Sequence, residues 1–372
     1  MSQSSQYQPL DSSQQEVRLF WLLPSTQDDD STPKPEIQAI LTTVSLSQKP
    51  AYNALSYTWG APDDPVHRIS LNGLHFDVRS NLHGCLMHLQ ERGMGSKESG
   101  VPLWIDAICI NQDDVLEKNS QLGMMGDIYR HATSVVSWLG ADERLVKGLS
   151  TIAEIAREWR RFEKELRIAM PDGPEFVDIE DSVTRDRLQD WLRETEHIWH
   201  EEDAGLRGMI SIFQSNYWRR IWITQELLLA DPTTHVYICG TASITEADLD
   251  ELADCILNVF GKEKIEGVSD GVWTNITLGV RGEVGVRARL STVQFGLILP
   301  SLMFVLYISN TRSATDPRDT VYGLLHLIPD HEIVPDYRKA VWEVYTEWAV
   351  KAMRQSGNME LLSYVQTAKE ER

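Results

Sequence analysis

A chain of 372 residues, 42% apolar and 24% charged, is long enough for one large domain or two ordinary ones and is neither disordered nor fibrous. Its formal net charge of −20 repels nucleic acid and anionic membrane surfaces, which excludes a polyanionic partner held by bulk attraction. No uncharged apolar run reaches about 18 residues, so no membrane span is expected; "VQFGLILPSLMFVLYI", 293–308, comes nearest, is broken by Pro300 and reads as buried core.

Residues 1–15 form a Ser/Gln-rich tail, expected to be disordered and lacking the basic and apolar regions of a signal peptide. "EVRLFWLLP" reads as a first strand, followed by a Pro/Asp/Ser loop from Pro24 to Pro35 and a second strand in "IQAILTTVSL". "YNALSYTWG" is a short β-prone stretch stopped by Gly60. In "RISLNGLHFDV" the Asn72-Gly73 pair between alternating apolar residues predicts a hairpin. "SNLHGCLMHLQER" predicts a helix capped by Ser80, with Leu82, Leu86 and Leu89 on one face. "PLWIDAICI" reads as a strand buried on both faces with Asp106 in its middle, "NSQLGMMGDIYRHA" as a helix, and "SVVSWLG" as another buried strand. This alternation implies an α/β fold with a parallel sheet covered by helices.

After Gly140 the pattern becomes helical. Ile152, Ile155, Trp159, Phe162 and Leu166 make one apolar stripe, so 141–212 is expected to be a helical insertion on the sheet core. His197 and His200 within it read as surface residues. Further on, "THVYICG" reads as a strand and "SITEADLDELADCILNVF" as a helix with Ser243 and Glu246 forming a capping box. The expected domains are a tail at 1–15, a main domain at 16–230 and a mostly helical C-terminal part at 231–372. The four cysteines, Cys85, Cys109, Cys239 and Cys255, have no metal-ligand spacing and read as reduced core thiols of a cytoplasmic protein.

None of the common phosphate-loop, zinc-hydrolase, esterase-elbow or calcium-loop motifs is present. What stands out is polar residues at the ends of, or inside, buried segments: Ser56, Tyr57 and Trp59 in "ALSYTWG", Asp106, Asn111 and Gln112 in "LWIDAICINQDD", and Arg219, Arg220, Gln225 and Glu226 in "YWRRIWITQELLLA". Ligands of parallel sheets bind beyond the carboxyl ends of the strands, where "SYTWG" and "INQDD" are expected.

"YNALSYTWG", "LWIDAICINQDD" with the following "KNSQLGMMGDIYRHATSVVSWLG", and "YWRRIWITQELLLA" resemble the three motif blocks of the fungal heterokaryon-incompatibility (HET) domain. "DPRDTVYGLLHL" and "VPDYRKAVWEVYTEWA" resemble the segments that follow it, so the likeness covers about residues 17–364. The resemblance implies a protein of fungal nonself recognition that triggers cell death after fusion of unlike individuals. Partners would be copies of itself or other incompatibility proteins. Family members usually continue well past "SYVQTAKEER", which implies a chain cut short.

A more distant resemblance is to Toll/interleukin-receptor (TIR) domains, flavodoxin-like sheets flanked by helices. Plant-type members carry a stretch similar to S-x-x-Y-x-x-S-x-W-C-x-x-E-L, whose glutamate cleaves NAD. "SNYWRRIWITQEL" holds Ser215, Tyr217, Trp222 and Glu226-Leu227, with Ile223 for the cysteine and Arg220 for the second serine. The resemblance implies Glu226 as the catalytic group and NAD as a substrate rather than a resident cofactor; no metal is implied. The nicotinamide of NAD is already a cationic leaving group, so its loss needs no general acid. A carboxylate can stabilise the oxocarbenium-like transition state. Trp59 or Trp222 would stack on a ring, and Arg219 or Arg220 would meet the diphosphate.

Structural readings stand beside these. Glu226 equally suits a core ion pair with Arg220. Asp106 suits a loop cap, and Asn111 and Gln112 suit bonds that fix the loop. The tryptophans suit core packing. Asp316, Arg318 and Asp319 suit a turn and helix start with Pro317 at an early helical position.

Overall fold

Among the described residues, nine short runs pair into one sheet. In chain order they are β1 (Glu16–Leu22), β2 (Gln38–Ser45), β3 (Asn53–Tyr57), β4 (Val66–Leu71), β5 (Leu74–Arg79), β6 (Leu103–Trp104), β7 (Ser134–Gly140), β8 (Val236–Cys239) and β9 (Ala242–Thr245). This computed structural model describes residues 6–24, 37–169, 181–200, 202–260, 312–328 and 332–356. The spatial order is β5-β4-β2-β1-β6-β3-β7-β8-β9. Four neighbouring strands, β6-β3-β7-β8, are parallel to one another; β2 and β4 are also parallel, and the other ladders are antiparallel. In chain order the four neighbouring strands run second, first, third, fourth across the sheet, the opening of the doubly wound flavodoxin-like order. The α/β class read from the sequence is therefore the observed one.

The strands of this parallel group are nearly continuous runs of buried residues because both faces are covered: in β3 only Asn53, and in β7 only Ser134 and Gly140, are half-buried. The β4–β5 hairpin turns at Asn72 and Gly73, whose φ values of 54° and 78° are the paired positive angles of a type I′ turn. Helices α1 (Ser80–Glu91), α2 (Asp106–Cys109), α3 (Val115–Leu122) and α4 (Met125–His131) follow the strands of this half.

Several boundaries differ from the sequence reading. "PLWIDAICI" is a strand only at Leu103–Trp104; α2 follows, because a fully buried apolar run carries no period to separate strand from helix. Ser80 is not a cap: Arg79 holds the cap position, and the Ser80 hydroxyl donates to the Pro65 carbonyl at 2.9 Å. At the other edge Ser243 lies in β9 and the reciprocal cap is Thr245 with Asp248, which leaves Glu246 free to turn inward. Residues 6–15, expected as a disordered tail, lie against the sheet layer: the Tyr7 hydroxyl donates to the Ile108 carbonyl at 2.9 Å, and Arg18 donates to the Gln8 carbonyl at 2.5 Å. The 293–308 run falls outside the described residues.

The helices of 141–212 are α5 (Glu143–Ala169), α6 (Ser182–Glu194) and α7 (Ala204–Phe213). All five residues of the expected stripe are buried, and His197 and His200 are exposed, as read. These helices share one core with β8, β9 and α9 (Glu246–Phe260), so a boundary at 230/231 would cut through the sheet and this core. The closest approach is at two glycines. A Cβ on Gly148 would lie 2.2 Å from the Gly208 carbonyl carbon, and one on Gly208 would lie 2.2 Å from the Arg144 carbonyl oxygen. Backbone cannot yield as a side chain does, so Gly148→Ala is expected to destabilise the protein by at least about 1–3 kcal/mol. A lower denaturant midpoint checks this, and an unchanged one would mean that α5 and α7 do not touch here.

Candidate functional site

Just past the carboxyl ends of β3 and β6 lies a cavity of about 610 Å³. Trp59 and Gly60 follow β3, and Asp106, Ile110 and Gln112 follow β6. Trp59 donates from Nε1 to Asp106 Oδ2 at 2.8 Å, and Asp106 Oδ1 accepts from the Ala107 amide at 2.7 Å. Gln112 donates to the Asp106 carbonyl at 2.9 Å. One acid thus ties the two strand ends together while remaining on the cavity wall. Burial raises the Asp106 pKa above its ordinary value, although Arg220 and the Trp59 hydrogen bond pull it down.

The cavity floor comes from the stretch before α8 (Ile223–Leu228). Arg220 and Trp222 line it. Arg220 donates from Nη1 to the Tyr57 carbonyl, and its Nη2 lies 4.0 Å from Glu226 Oε1. Burial works against the Arg220 charge, but Glu226 and Asp106 outweigh it and raise the pKa. Glu226 itself is only 1% exposed and is not on the cavity wall; Arg220 lies between it and the cavity. Its Oε2 accepts from the Ser56 hydroxyl at 2.5 Å. Burial pushes the Glu226 carboxyl up to about 7, further than Arg220 and Ser56 pull it down, and Asp106 adds to the rise. Two carboxyls around one guanidinium therefore form the chemical centre of the site.

Of the residues singled out in the sequence, Trp59, Asp106, Gln112, Arg220 and Trp222 come together on the cavity wall. Ser56, Tyr57 and Glu226 lie directly behind it. Tyr57 supplies the carbonyl for Arg220, and burial holds its hydroxyl protonated. Two residues are elsewhere. Arg219 is exposed and uses its carbonyl to take the Ser313 amide. Asn111 shapes its loop, accepting from the Asp113 amide at 3.2 Å and donating its own amide to Glu117 at 2.7 Å.

The remaining wall was not read as a site. Residues 313–319 dock by a bridge between Arg220 and Ser313, with the Ile221 amide donating to the Ser313 carbonyl at 3.0 Å. They lead into α10 (Asp319–Tyr322), and Tyr337 and Val341, the first residue of α11 (Val341–Ser356), close the far side. Arg318 pairs with Asp316 at 2.6 Å and lies 5.0 Å from the centre of the Tyr337 ring; Lys118 is 4.5 Å from the same ring. The Tyr337 hydroxyl donates to Asp319, whose pKa burial nonetheless raises. The clue in the sequence was the dense charge of "TDPRD", which also makes a turn and helix start, so the two readings coincide. The wall carries Arg79, Lys118, Arg220 and Arg318 against Asp106, Asp316 and Asp319, which makes it cationic on a strongly acidic protein. No cluster of three or more metal-ligating side chains occurs among the described residues, and no helix there is long and apolar enough to cross a membrane. All four cysteines are buried free thiols.

A mostly parallel sheet flanked by helices, with a cavity at its strand ends, is an α/β fold. Residues 52–226 match the family model "Heterokaryon incompatibility protein (HET)". It is 28% identical over 364 residues to heterokaryon incompatibility protein 6, OR allele, of Neurospora crassa, an alignment that covers 90% of this chain and 51% of the relative. The chain thus spans about half the length of the curated relative it matches. No solved structure matches it. The matched segment ends on Glu226, so the family region supplies the floor of the cavity and two strand ends, while residues 313–341 add a wall outside it.

Proposed function

We propose that this protein acts in fungal nonself recognition in the cytoplasm, triggering programmed cell death, and that it does so by cleaving NAD at the nicotinamide–ribose bond. The observation that carries this reading is the cavity, with two tryptophans, Asp106 and four cations on its wall, and Glu226 behind one of those cations, Arg220. Its volume lies in the range of small-molecule sites. Trp59 or Trp222 stacks on a ring of the ligand. Arg220 turns from the Tyr57 carbonyl to the diphosphate, for which its fork is suited. That movement uncovers Glu226 to the ribose, where its carboxylate stabilises the developing oxocarbenium charge. The distant likeness to TIR domains around Glu226 belongs to the same reading.

Nicotinamide release from NAD by concentrated purified protein tests it. Stacking on an aromatic side chain is worth about 1–3 kcal/mol, so Trp59→Ala is expected to raise the KM roughly 5- to 150-fold. An unchanged KM would move the ligand away from the β3 end. A second reading, a non-catalytic assembly module that contacts copies of itself or other incompatibility proteins, is favoured by one observation: Glu226 is covered by Arg220. A chain that kills cells yet releases no nicotinamide at any concentration would select it.

A further inference from the structure

Behind Glu226 the buried polar groups continue across the sheet. Ser56 Oγ, on β3, is 2.5 Å from Glu226 Oε2 and 2.8 Å from the Tyr217 hydroxyl. Tyr217 lies 2.7 Å from Ser137 Oγ on β7, and Ser137 lies 2.8 Å from His235 Nε2 just before β8. His235 Nδ1 faces Glu246 Oε2 at 3.4 Å, and that oxygen also takes the Tyr237 hydroxyl at 2.8 Å. Every member is buried, from Ser137 at 0% exposure to Tyr217 and Glu246 at 2%. Ser137, His235 and Glu246 have the order of a hydrolytic triad, yet none of them lines the cavity, so no substrate reaches the serine there.

Counting protons gives the chain its property. Four contacts join Glu226 to His235, and the three hydroxyls between them supply one proton each. If Ser56 donates to Glu226 while Tyr217 donates to Ser137, the Ser56–Tyr217 contact has no proton at all, and two oxygens face each other with lone pairs only. The contact is satisfied in two ways. Either Glu226 carries a proton and every hydroxyl donates towards His235 Nε2, or His235 carries a proton on Nε2 and every hydroxyl donates towards an ionised Glu226. The fourth proton belongs to one end or the other.

We infer that Glu226 and His235 share a single mobile proton through Ser56, Tyr217 and Ser137, with Glu246 holding His235 in place as its terminal store. The groups that face the Glu226 end are Arg220 and Asp106 on the cavity side and the hydroxyl of Tyr129 from α4; the Tyr57 hydroxyl faces Asp106. The His235 end is faced by Glu246 and by Tyr237, whose ring stacks on the imidazole at 4.4 Å, among other groups. Glu246 makes a second proton on His235 tolerable in the interior, because an imidazolium beside a carboxylate is a paired charge. The use of the chain in chemistry rests on the NAD reading. When the C1′–N bond breaks, its electron pair leaves with nicotinamide; Glu226 is ionised at that moment because the shared proton sits on His235, and a water oxygen that bonds C1′ gives its proton to Glu226, which releases it to solvent through the cavity. Glu226 is the catalytic residue there, and His235 is a positioning and proton-storing one.

The test needs no substrate, so it stays separate from the fate of the NAD reading. Protein carrying ¹⁵N-histidine is titrated through neutral pH, and the two ring nitrogens of His235 are followed. In wild type, His235 is expected to move with Glu226. In Glu226→Gln the side-chain amide donates to Ser56 permanently, which fixes every hydroxyl towards His235, so Nε2 becomes a pure acceptor and its resonance stops responding to Glu226. Tyr217→Phe cuts the chain in the middle, and a Glu226→Gln change on that background must leave His235 unmoved. If Glu226→Gln does not fold, Ser56→Ala breaks the same end and must remove the same response. A His235 resonance that titrates identically in wild type, Glu226→Gln and Ser56→Ala overturns the inference.

Discussion

Trp138→Ala is expected to cost the protein so much stability that it no longer folds cooperatively at physiological temperature. Trp138 is 1% exposed in the middle of the sheet, opposite Tyr57 of β3 and Ile238 of β8. Truncating a buried tryptophan costs about 3–5 kcal/mol in lost burial and cavity formation. A further loss of about 1–3 kcal/mol follows because its Nε1 donates to Asn81 Oδ1 at 3.0 Å, and that oxygen would be stranded. Against a total of about 5–15 kcal/mol this is a large share. Trp104 offers an internal comparison. It is equally buried, but its Nε1 finds no hydrogen-bond partner among the described residues. Trp104→Phe should therefore cost less than Trp138→Phe, although Trp104→Ala and Trp138→Ala should both be severe. Urea midpoints of the four variants check this; wild-type midpoints in the two alanine variants would mean that these strands are not the core.

The sheet was legible wherever the residue pattern had a period or a punctuating turn. Asn72-Gly73 announced its hairpin, and the stripe from Ile152 to Leu166 announced α5, because alternation and 3.6-residue spacing are properties of a local stretch. "PLWIDAICI" was misread for the opposite reason: with Leu103 to Ile110 almost entirely buried, no face is left to mark where β6 ends and α2 begins. The edge strands β8 and β9 were assigned to a separate part because the long helices before them hid their membership in one sheet, which only pairing with β7 reveals.

The candidate site was legible in part. Trp59, Asp106 and Arg220 could be named from the pattern, since polar side chains at the ends of apolar runs are unusual and the strand ends are where ligands sit, and Trp222 from the resemblance to TIR domains. The proton chain could not. Tyr217 is 161 residues from Ser56 and 80 from Ser137, and Ser137 is 98 from His235. Serine and histidine inside a strand look the same whether they bond a neighbour or a distant residue. The wall at Arg318 and Tyr337 was hidden because its charges also build a turn, so nothing in "TDPRD" was left over to demand another explanation.

Glu226→Gln is expected to leave a folded protein that releases no nicotinamide and no longer kills fungal cells when overexpressed. The stability side follows from the carboxyl's position. In the folded state Glu226 titrates near 7, above its ordinary 4.5, because burial disfavours its charge. Between those values the folded state binds more protons than the unfolded one, so wild-type stability is full below about pH 4.5 and falls as pH rises towards 7. The loss is of the order of 3 kcal/mol by linkage. Glutamine has no such loss. It keeps a hydrogen bond to Ser56, with its amide now the donor, and Arg220 keeps Asp106 and the Tyr57 carbonyl. Relative to wild type, the variant should therefore gain stability from about pH 5 to about pH 7 and level off above it, as chemical denaturation at each pH would record. A structural ion pair predicts the opposite: removing Glu226 would leave a partly buried guanidinium short of a partner at a cost of about 3–5 kcal/mol, greatest where the acid is fully ionised. A variant that loses ground as pH rises would make Glu226 a structural partner of Arg220. One that is folded and still lethal would move the killing activity from the carboxylate to protein contacts. Retained stability at pH 8 together with lost nicotinamide release is the one outcome that fits an acid kept in the interior for chemistry, because a site that holds a desolvated carboxyl gives up stability that glutamine restores.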